Sequence, residues 1–301
     1  MIGLESIASY IAEDRESNYD LKEKFDLDNH FIHEKLGVDA RAIKSSTEKA
    51  SDLCVKAFNN LQVSPEGIDC CIVVTQNPDY QIPHTSAIVQ SKLNLPQSCA
   101  CFDISLGCSG YVYGLSVIIS FMKSNNFKKG LLFTSDPYSE IIDSNDKNTA
   151  LLFGDAATVS LISDTPKYAP LDFVFGTNGD HYSELICREK LFMNGRAVFA
   201  FTATQIPKQI KELLDKNKLT LEEIDKYILH QGSKYIVDTI TKRLGVEPNK
   251  VTFEMFDYGN TVSSSIPIIL SKELTTLEAE KIVLSGFGVG LSWASTILYK
   301  I

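Results

Sequence analysis

Three short segments of this chain recur, in the same order, roughly half a chain length further on. SPEGIDCCIVVTQ (64–76) reads against TLEEIDKYILHQG (220–232), with Ile68-Asp69 over Ile224-Asp225. CFDISLGCSG (101–110) reads against MFDYGNTVSS (255–264), and KKGLLFTSDP (128–137) against AEKIVLSGFG (279–288). One such match is within the reach of chance. Three in order point to a duplicated architecture, and so restrict the chain to folds built from two related halves. The halves expected are residues 1–165 and 166–301, each close to the usual size of one domain.

Each half alternates short apolar runs with amphipathic helical stretches, the pattern of α/β layers. GYVYGLSVIISFMKS, after CACFDISLGC, carries Val112, Leu115, Ile119 and Met122 at helical spacing. QGSKYIVDTITKRLG, after KYILH, places Ile236, Ile240 and Leu244 on one face, with Gly245 as a C-terminal stop. VTFEMFDYGN reads as a further strand, followed by a helix through Ile266, Ile269 and Leu270. Helices are also expected between 85 and 93 and between 202 and 217, and LSWASTILYKI as a closing strand.

Composition is that of a globular protein, 44% hydrophobic and 22% charged, which excludes a disordered or fibrous chain. A net charge of −9 argues against nucleic-acid binding, which needs clustered Lys and Arg. No apolar run approaches the roughly 20 residues of a membrane span, and the first residues lack a secretory signal, so a cytoplasmic protein is expected. The seven cysteines include no C-x-x-C pair, so no metal site is expected, and all but Cys108 read as reduced, buried thiols.

Three junctions that read as strand-to-helix each offer one reactive side chain: Cys108, His230 and Asn260. In open α/β sheets sites form beyond the carboxyl ends of strands, where residues far apart in sequence converge. Cys108, between Gly107 and Gly110, falls at a helix start, where the dipole and free N–H groups favour a thiolate able to take an acyl group. It reads equally as a small core thiol, and Ser109 competes as a nucleophile. His230 reads either as a catalytic or as a hydrogen-bonded structural histidine, and Asn260 by itself reads as a turn residue. Gly286 to Gly290 lacks a third glycine at G-x-G-x-x-G spacing and the following helix of a dinucleotide site. It reads as a loop whose backbone passes close to a ligand.

Taken together, FDISLGCSGYVYGLSV (102–117), LLFGDAATVSLI (151–162), LHQGSKYIVDTITKRLGV (229–246), YGNTVSSSIP (258–267) and SGFGVGLSWAS (285–295) make the chain resemble the thiolase-like condensing enzymes, most closely β-ketoacyl-acyl-carrier-protein synthase III. The resemblance implies a thiolase-like duplicated α-β-α-β-α layered fold with mixed sheets. It makes Cys108 the acylated nucleophile, with the backbone N–H groups of Cys108 and Val289 as the oxyanion hole. His230 and Asn260 would hydrogen-bond the thioester carbonyl of a malonyl group and stabilise the enolate formed as carbon dioxide leaves. Phe287, Gly288, Phe199 and Ile82 would shape the acyl and pantetheine pocket, Phe287 as an apolar gate and Ile82 from the partner of a homodimer.

The resemblance also implies substrates rather than a bound cofactor: acyl-coenzyme A or phosphopantetheine thioesters, with acyl carrier protein as partner. At the tunnel mouth Phe31 stands where the family has an adenine-stacking tryptophan, and Asn148 and Tyr235 where it has arginines. Lys35, Lys242 and Arg243 keep positive charge there, enough for an acidic carrier protein. These departures give weight to a carrier-protein donor over coenzyme A. Other readings on the same residues are a non-condensing acyltransferase, a silent thioester-binding subunit and a cysteine hydrolase. The retained Cys108, His230 and Asn260 favour condensation. A thiolase proper is disfavoured because the 286–290 segment has no second cysteine.

Overall fold

In the computed structural model, which describes residues 1–276 and 278–301, the apolar runs form nine strands of one mixed sheet. They are β1 (Gly3–Ile11), β2 (Cys70–Val74), β3 (Ala100–Ile104), β4 (Lys129–Ser135), β5 (Ala156–Ser163), β6 (Tyr168–Thr177), β7 (Lys226–Leu229), β8 (Lys281–Gly288) and β9 (Ser292–Lys300). Across the sheet the order is β7-β8-β9-β6-β1-β5-β4-β2-β3. Two small two-stranded sheets pair Asp14–Ser17 with Ala40–Ile43 and Leu185–Cys187 with Leu191–Met193.

The strand order contains its own repeat. Outward from the centre, β1-β5-β4-β2 and β6-β9-β8-β7 run through the same pairings: antiparallel, antiparallel, parallel. Where β3 then pairs in parallel with β2, Val251 makes a parallel bridge to Tyr227 of β7. The repeated Ile-Asp motif has a matching physical role in the two places. Asp69, just before β2, accepts from the backbone N–H groups of Lys128 and Lys129 at 2.6 and 3.0 Å. Asp225, just before β7, accepts from those of Glu280 and Lys281, both at 2.8 Å. Each carboxylate pins the start of the neighbouring parallel strand.

Helices of eight residues or more are α1 (Ala50–Leu61), α2 (Thr85–Lys92), α3 (Gly110–Asn125), α4 (Gly195–Asn217), α5 (Lys234–Leu244) and α6 (Ser265–Thr276). The strands are apolar on both faces, as strands covered on both sides must be. Ile72, Val74, Leu132, Ile228 and Leu284 meet α3 and α6 in one cluster. The alternate residues Cys71, Val73, Leu131 and Phe133 meet α1 and α2. Tyr227, Leu229 and Val283 meet α4 and α5. Helices α3 and α6 therefore pack against strands of both halves of the sheet. Among the described residues, no helix is long and apolar enough to cross a membrane.

Several expectations change. α4 begins at Gly195 rather than near 202, because Asn194 caps it by accepting from the Ala197 N–H at 3.3 Å. Residues 252–259 form no strand. Their backbone groups bond elsewhere: Glu254 N–H to the Gln231 side chain, and the carbonyls of Phe256 and Tyr258 to N–H groups of Asp39, Ala40 and Ala42. The 286–290 segment is largely not a loop, since Gly286, Phe287 and Gly288 end β8 and only the residues after them turn. Cys187 is exposed in the 185–193 hairpin and Cys101 is half-buried on edge strand β3, against the expected burial.

Candidate active site

Cys108 sits in the turn between β3 and α3, only 5% exposed. Its close neighbour is the end of β8. A Cβ added at Gly288 would lie 2.7 Å from both the Cβ and the Sγ of Cys108, so glycine is required for that approach. Burial pushes the Cys108 thiol up to about 12, and the nearby Asp136 carboxylate adds to this. Hydrogen bonds from the backbone N–H groups of Val289 and of Cys108 itself oppose the shift. The helix start is expected to favour a thiolate, whereas burial and Asp136 push toward the thiol. Ser109 is buried and committed elsewhere: its Oγ lies 2.7 Å from Ser292 Oγ, which in turn donates to the Val289 carbonyl at 2.8 Å.

His230 follows directly on β7, its N–H continuing the ladder to the Ser285 carbonyl at 2.9 Å. The ring is buried edge-on against Phe287, with centroids 5.5 Å apart. Nδ1 lies 2.7 Å from Ser265 Oγ and Nε2 lies 3.5 Å from the Asn260 amide nitrogen. Burial lowers the His230 pKa to about 3, a backbone hydrogen bond to Val262 offsetting part of it, so the imidazole is neutral.

Asn260 comes not from a strand end but from an irregular segment bolted to residues 152–154. Its N–H donates to the Leu152 carbonyl at 2.8 Å, and its carbonyl accepts from Gly154 N–H at 3.0 Å. Its side-chain oxygen accepts from Val262 N–H at 2.9 Å, which fixes the amide orientation. Val262 itself has φ of 54°, a left-handed conformation that a β-branched residue adopts at a cost of roughly 1–3 kcal/mol. Strain of this kind collects where structure is held for function.

Cys108, His230, Asn260, Phe287 and Gly288 line the buried end of one cavity of about 590 Å³. Phe199, stacked on Tyr235 with centroids 5.0 Å apart, forms a wall. Phe31, Lys35, Asn148 and Tyr235 line its exposed end. Lys242 and Arg243 do not reach the cavity. They line an adjoining surface hollow, together with Lys35 and Tyr235. Ile82 is 86% exposed and lines none of this cavity within its own chain. Val289 contributes its backbone N–H rather than a wall.

Two cations at the cavity were not read from sequence. Lys147 places Nζ 5.3 Å from the centre of the Phe31 ring, so the cation facing Phe31 is one residue before Asn148. Arg196 lines the same opening from the first turn of α4. The signal for both was local: a basic residue directly after the cap residues Asp146 and, with one residue between, Asn194.

Comparison with known proteins agrees with this geometry. Residues 102–179 match the family described as 3-oxoacyl-[acyl-carrier-protein (ACP)] synthase III, and residues 214–300 match its C-terminal part. The chain is 36% identical to β-ketoacyl-[acyl-carrier-protein] synthase III of Lactococcus lactis subsp. cremoris (strain SK11), across 97% of each. It is 32% identical to β-ketoacyl-[acyl-carrier-protein] synthase III 1 of Bacillus anthracis, over 99% of this chain and 98% of that one. The crystal structure of the Thermus thermophilus β-ketoacyl-[acyl carrier protein] synthase III superposes with a TM-score of 0.92 at 30% identity, covering 99% of this chain and 98% of that chain. With a mixed, thiolase-like α/β sheet, an end-to-end relationship and a buried Cys, His and Asn in one cavity, the chain belongs to the 3-oxoacyl-[acyl-carrier-protein] synthase III family.

Proposed function

We propose that this chain condenses a Cys108-linked acyl group with a malonyl thioester, releasing carbon dioxide and a 3-oxoacyl thioester. The observation that carries the reading is the meeting of Cys108, His230 and Asn260 at the buried end of one cavity. In the first half-reaction the Cys108 sulfur displaces the thiol of an acyl thioester, and the Cys108 proton leaves on that thiol. The N–H groups of Cys108 and Val289, already directed at the sulfur, stabilise the tetrahedral oxyanion. In the second, the carboxylate of the malonyl group leaves as carbon dioxide. His230 and Asn260 donate to the thioester carbonyl as it becomes an enolate oxygen, the carbanion attacks the acyl carbon, and the Cys108 thiolate departs and takes up a proton from solvent. A neutral histidine suits this role, as a donor needs no net charge.

Phosphopantetheine thioesters are the proposed substrates, with no permanently bound cofactor. The cations Lys35, Lys147 and Arg196 at the opening, with Lys242 and Arg243 in the adjoining hollow, favour an acidic acyl carrier protein as donor despite the net charge of −9. We take residues 1–165 and 166–301 as the two units of the duplicated scaffold. The working form proposed is a homodimer formed through edge strand β3. The N–H groups of Thr85 and Ser86 donate to Asp103 of β3 at 2.6 and 2.8 Å, which anchors the segment carrying the exposed Ile82 at that edge. Across such an edge Ile82 would reach the partner's acyl pocket. Intact-mass spectrometry after incubation with acyl-carrier protein or acyl-coenzyme A tests the first half-reaction. The expected result is one acyl adduct, absent in Cys108→Ala; an unmodified wild-type protein across a broad donor panel contradicts it.

A further inference from the structure

We propose that Ser265 is the positioning residue that sets the His230 tautomer, its hydroxyl donating to Nδ1 so that Nε2–H faces the cavity as a donor. The inference rests on the donor role given to His230 above and names the residue that makes it possible. A neutral imidazole carries one N–H, and which nitrogen holds it follows from the partner of the other. The side-chain partner of Nδ1 is Ser265 Oγ at 2.7 Å, both groups are buried, and the Val262 backbone beside the ring competes with it by favouring a ring N–H.

The Ser265 hydroxyl has one proton and two acceptors in reach. It can donate to the Val262 carbonyl at 3.1 Å or to His230 Nδ1. In the first arrangement Nδ1–H must donate to Oγ, and Nε2 is left bare. In the second Nδ1 accepts and Nε2 carries the proton. The Asn260 amide bears on the choice, since a bare Nε2 would accept from its NH2 and a protonated Nε2 would stand beside it as a second donor. Its oxygen is committed to Val262 N–H, so its NH2 faces His230, 3.5 Å from Nε2. That separation is at the outer limit for a hydrogen bond. It suits two donors that flank the place of an acceptor oxygen, which is the place a thioester carbonyl takes in the condensing reaction.

The backbone is built to hold this arrangement. Ser265 opens α6, and the left-handed Val262 turns the chain so that Asn260 and Ser265, five residues apart, both come to bear on one imidazole. Ser265 touches no part of the cavity lining and acts through His230.

The test uses the full-length protein, wild type, Ser265→Ala and Ser265→Thr, with malonyl-carrier protein as the probe. In [15N]histidine-labelled wild type the His230 resonances should show Nε2 protonated and Nδ1 unprotonated. Ser265→Ala should lose that pattern and slow malonyl decarboxylation by ~10²-fold, while Cys108 acylation stays within about twofold and Ser265→Thr restores both the pattern and the rate. Wild type with Nδ1 protonated overturns the proposal, as does Ser265→Ala that decarboxylates at the wild-type rate or slows acylation equally. Should Ser265→Ala not fold, the wild-type nitrogen spectrum alone decides. A wild type that acylates yet releases no carbon dioxide counts against the condensing reading, and the tautomer readout still judges Ser265.

Discussion

Cys108 and Asp136 show how burial decides the chemistry residue by residue. The Asp136 carboxyl is buried beyond the end of β4, accepting from Gln76 N–H at 2.7 Å and from the Ser263 hydroxyl. Desolvation raises it to about 6 in spite of those bonds. Its folded value lies above the ordinary 3.8, so its contribution to stability is fully present at low pH and is lost as pH rises through 6. His230, depressed from 6.5 to about 3, works the other way: the unfolded ring gains a proton below 6.5 that the folded ring cannot take, so stability falls as pH drops. Between pH 6 and 4 the two partly cancel. Asp136→Asn removes one side of that balance. Its stability relative to wild type should rise from pH 4.5 to pH 8 by about 2 kcal/mol, measured by urea unfolding at each pH. A difference that does not change with pH would mean that Asp136 is already ionised at an ordinary value. None of this was legible in the sequence, where Asp136 is one acidic residue among many; its effect comes from packing alone.

At the scale of elements, the strongly periodic segments read correctly because their partners are the sheet faces directly beneath them. α3 and α5 carry the spacings that place Val112, Leu115 and Ile119, or Ile240 and Leu244, in apolar clusters. The segment before Asn260 did not read, because its backbone bonds go to the Gln231 side chain and to residues 39–42, partners invisible to local pattern. The opening of the cavity read in part. Lys147 and Arg196 come from the starts of helices whose direction only the fold sets. The end of β8 gives the sharpest test of element placement. Gly288→Ala puts a methyl carbon 2.7 Å from both Cβ and Sγ of Cys108, so the cysteine or the backbone beside it must shift. The variant should fold, losing about 1–3 kcal/mol of stability, yet show at least ~10²-fold slower acyl-adduct formation by intact mass. Acylation at the wild-type rate would show that β8 and the Cys108 turn are not pressed together as described.

For the whole molecule, the recurring Ile-Asp motif has a bonding counterpart: Asp69 and Asp225 make the same pair of backbone contacts in corresponding places of the sheet. What one chain's sequence could not convey is what covers its outer surface. Phe173 and Phe175 stack with centroids 5.7 Å apart, Tyr113 lies against Phe175, and Phe175 and Val117 are 44% and 38% exposed. An apolar face of this kind, with the unpaired edge of β3, fits the proposed dimer. Sedimentation velocity should give a dimer for wild type and a monomer for Val117→Glu/Phe175→Glu; a wild-type monomer at micromolar concentration contradicts the dimer.

In the proposed reaction Cys108 holds the acyl group, and His230 with Asn260 stabilise the enolate. The decisive measurement follows carbon dioxide release and the 3-oxoacyl product together, from an acyl donor plus malonyl-carrier protein, in wild type, Cys108→Ala and His230→Ala. Wild type should yield the two in equal amounts. Cys108→Ala should yield no 3-oxoacyl product, and His230→Ala should accumulate acyl-enzyme while releasing little carbon dioxide. An acyl-enzyme that never consumes malonyl-carrier protein, or a His230→Ala variant that condenses at the wild-type rate, would rule out that division of roles.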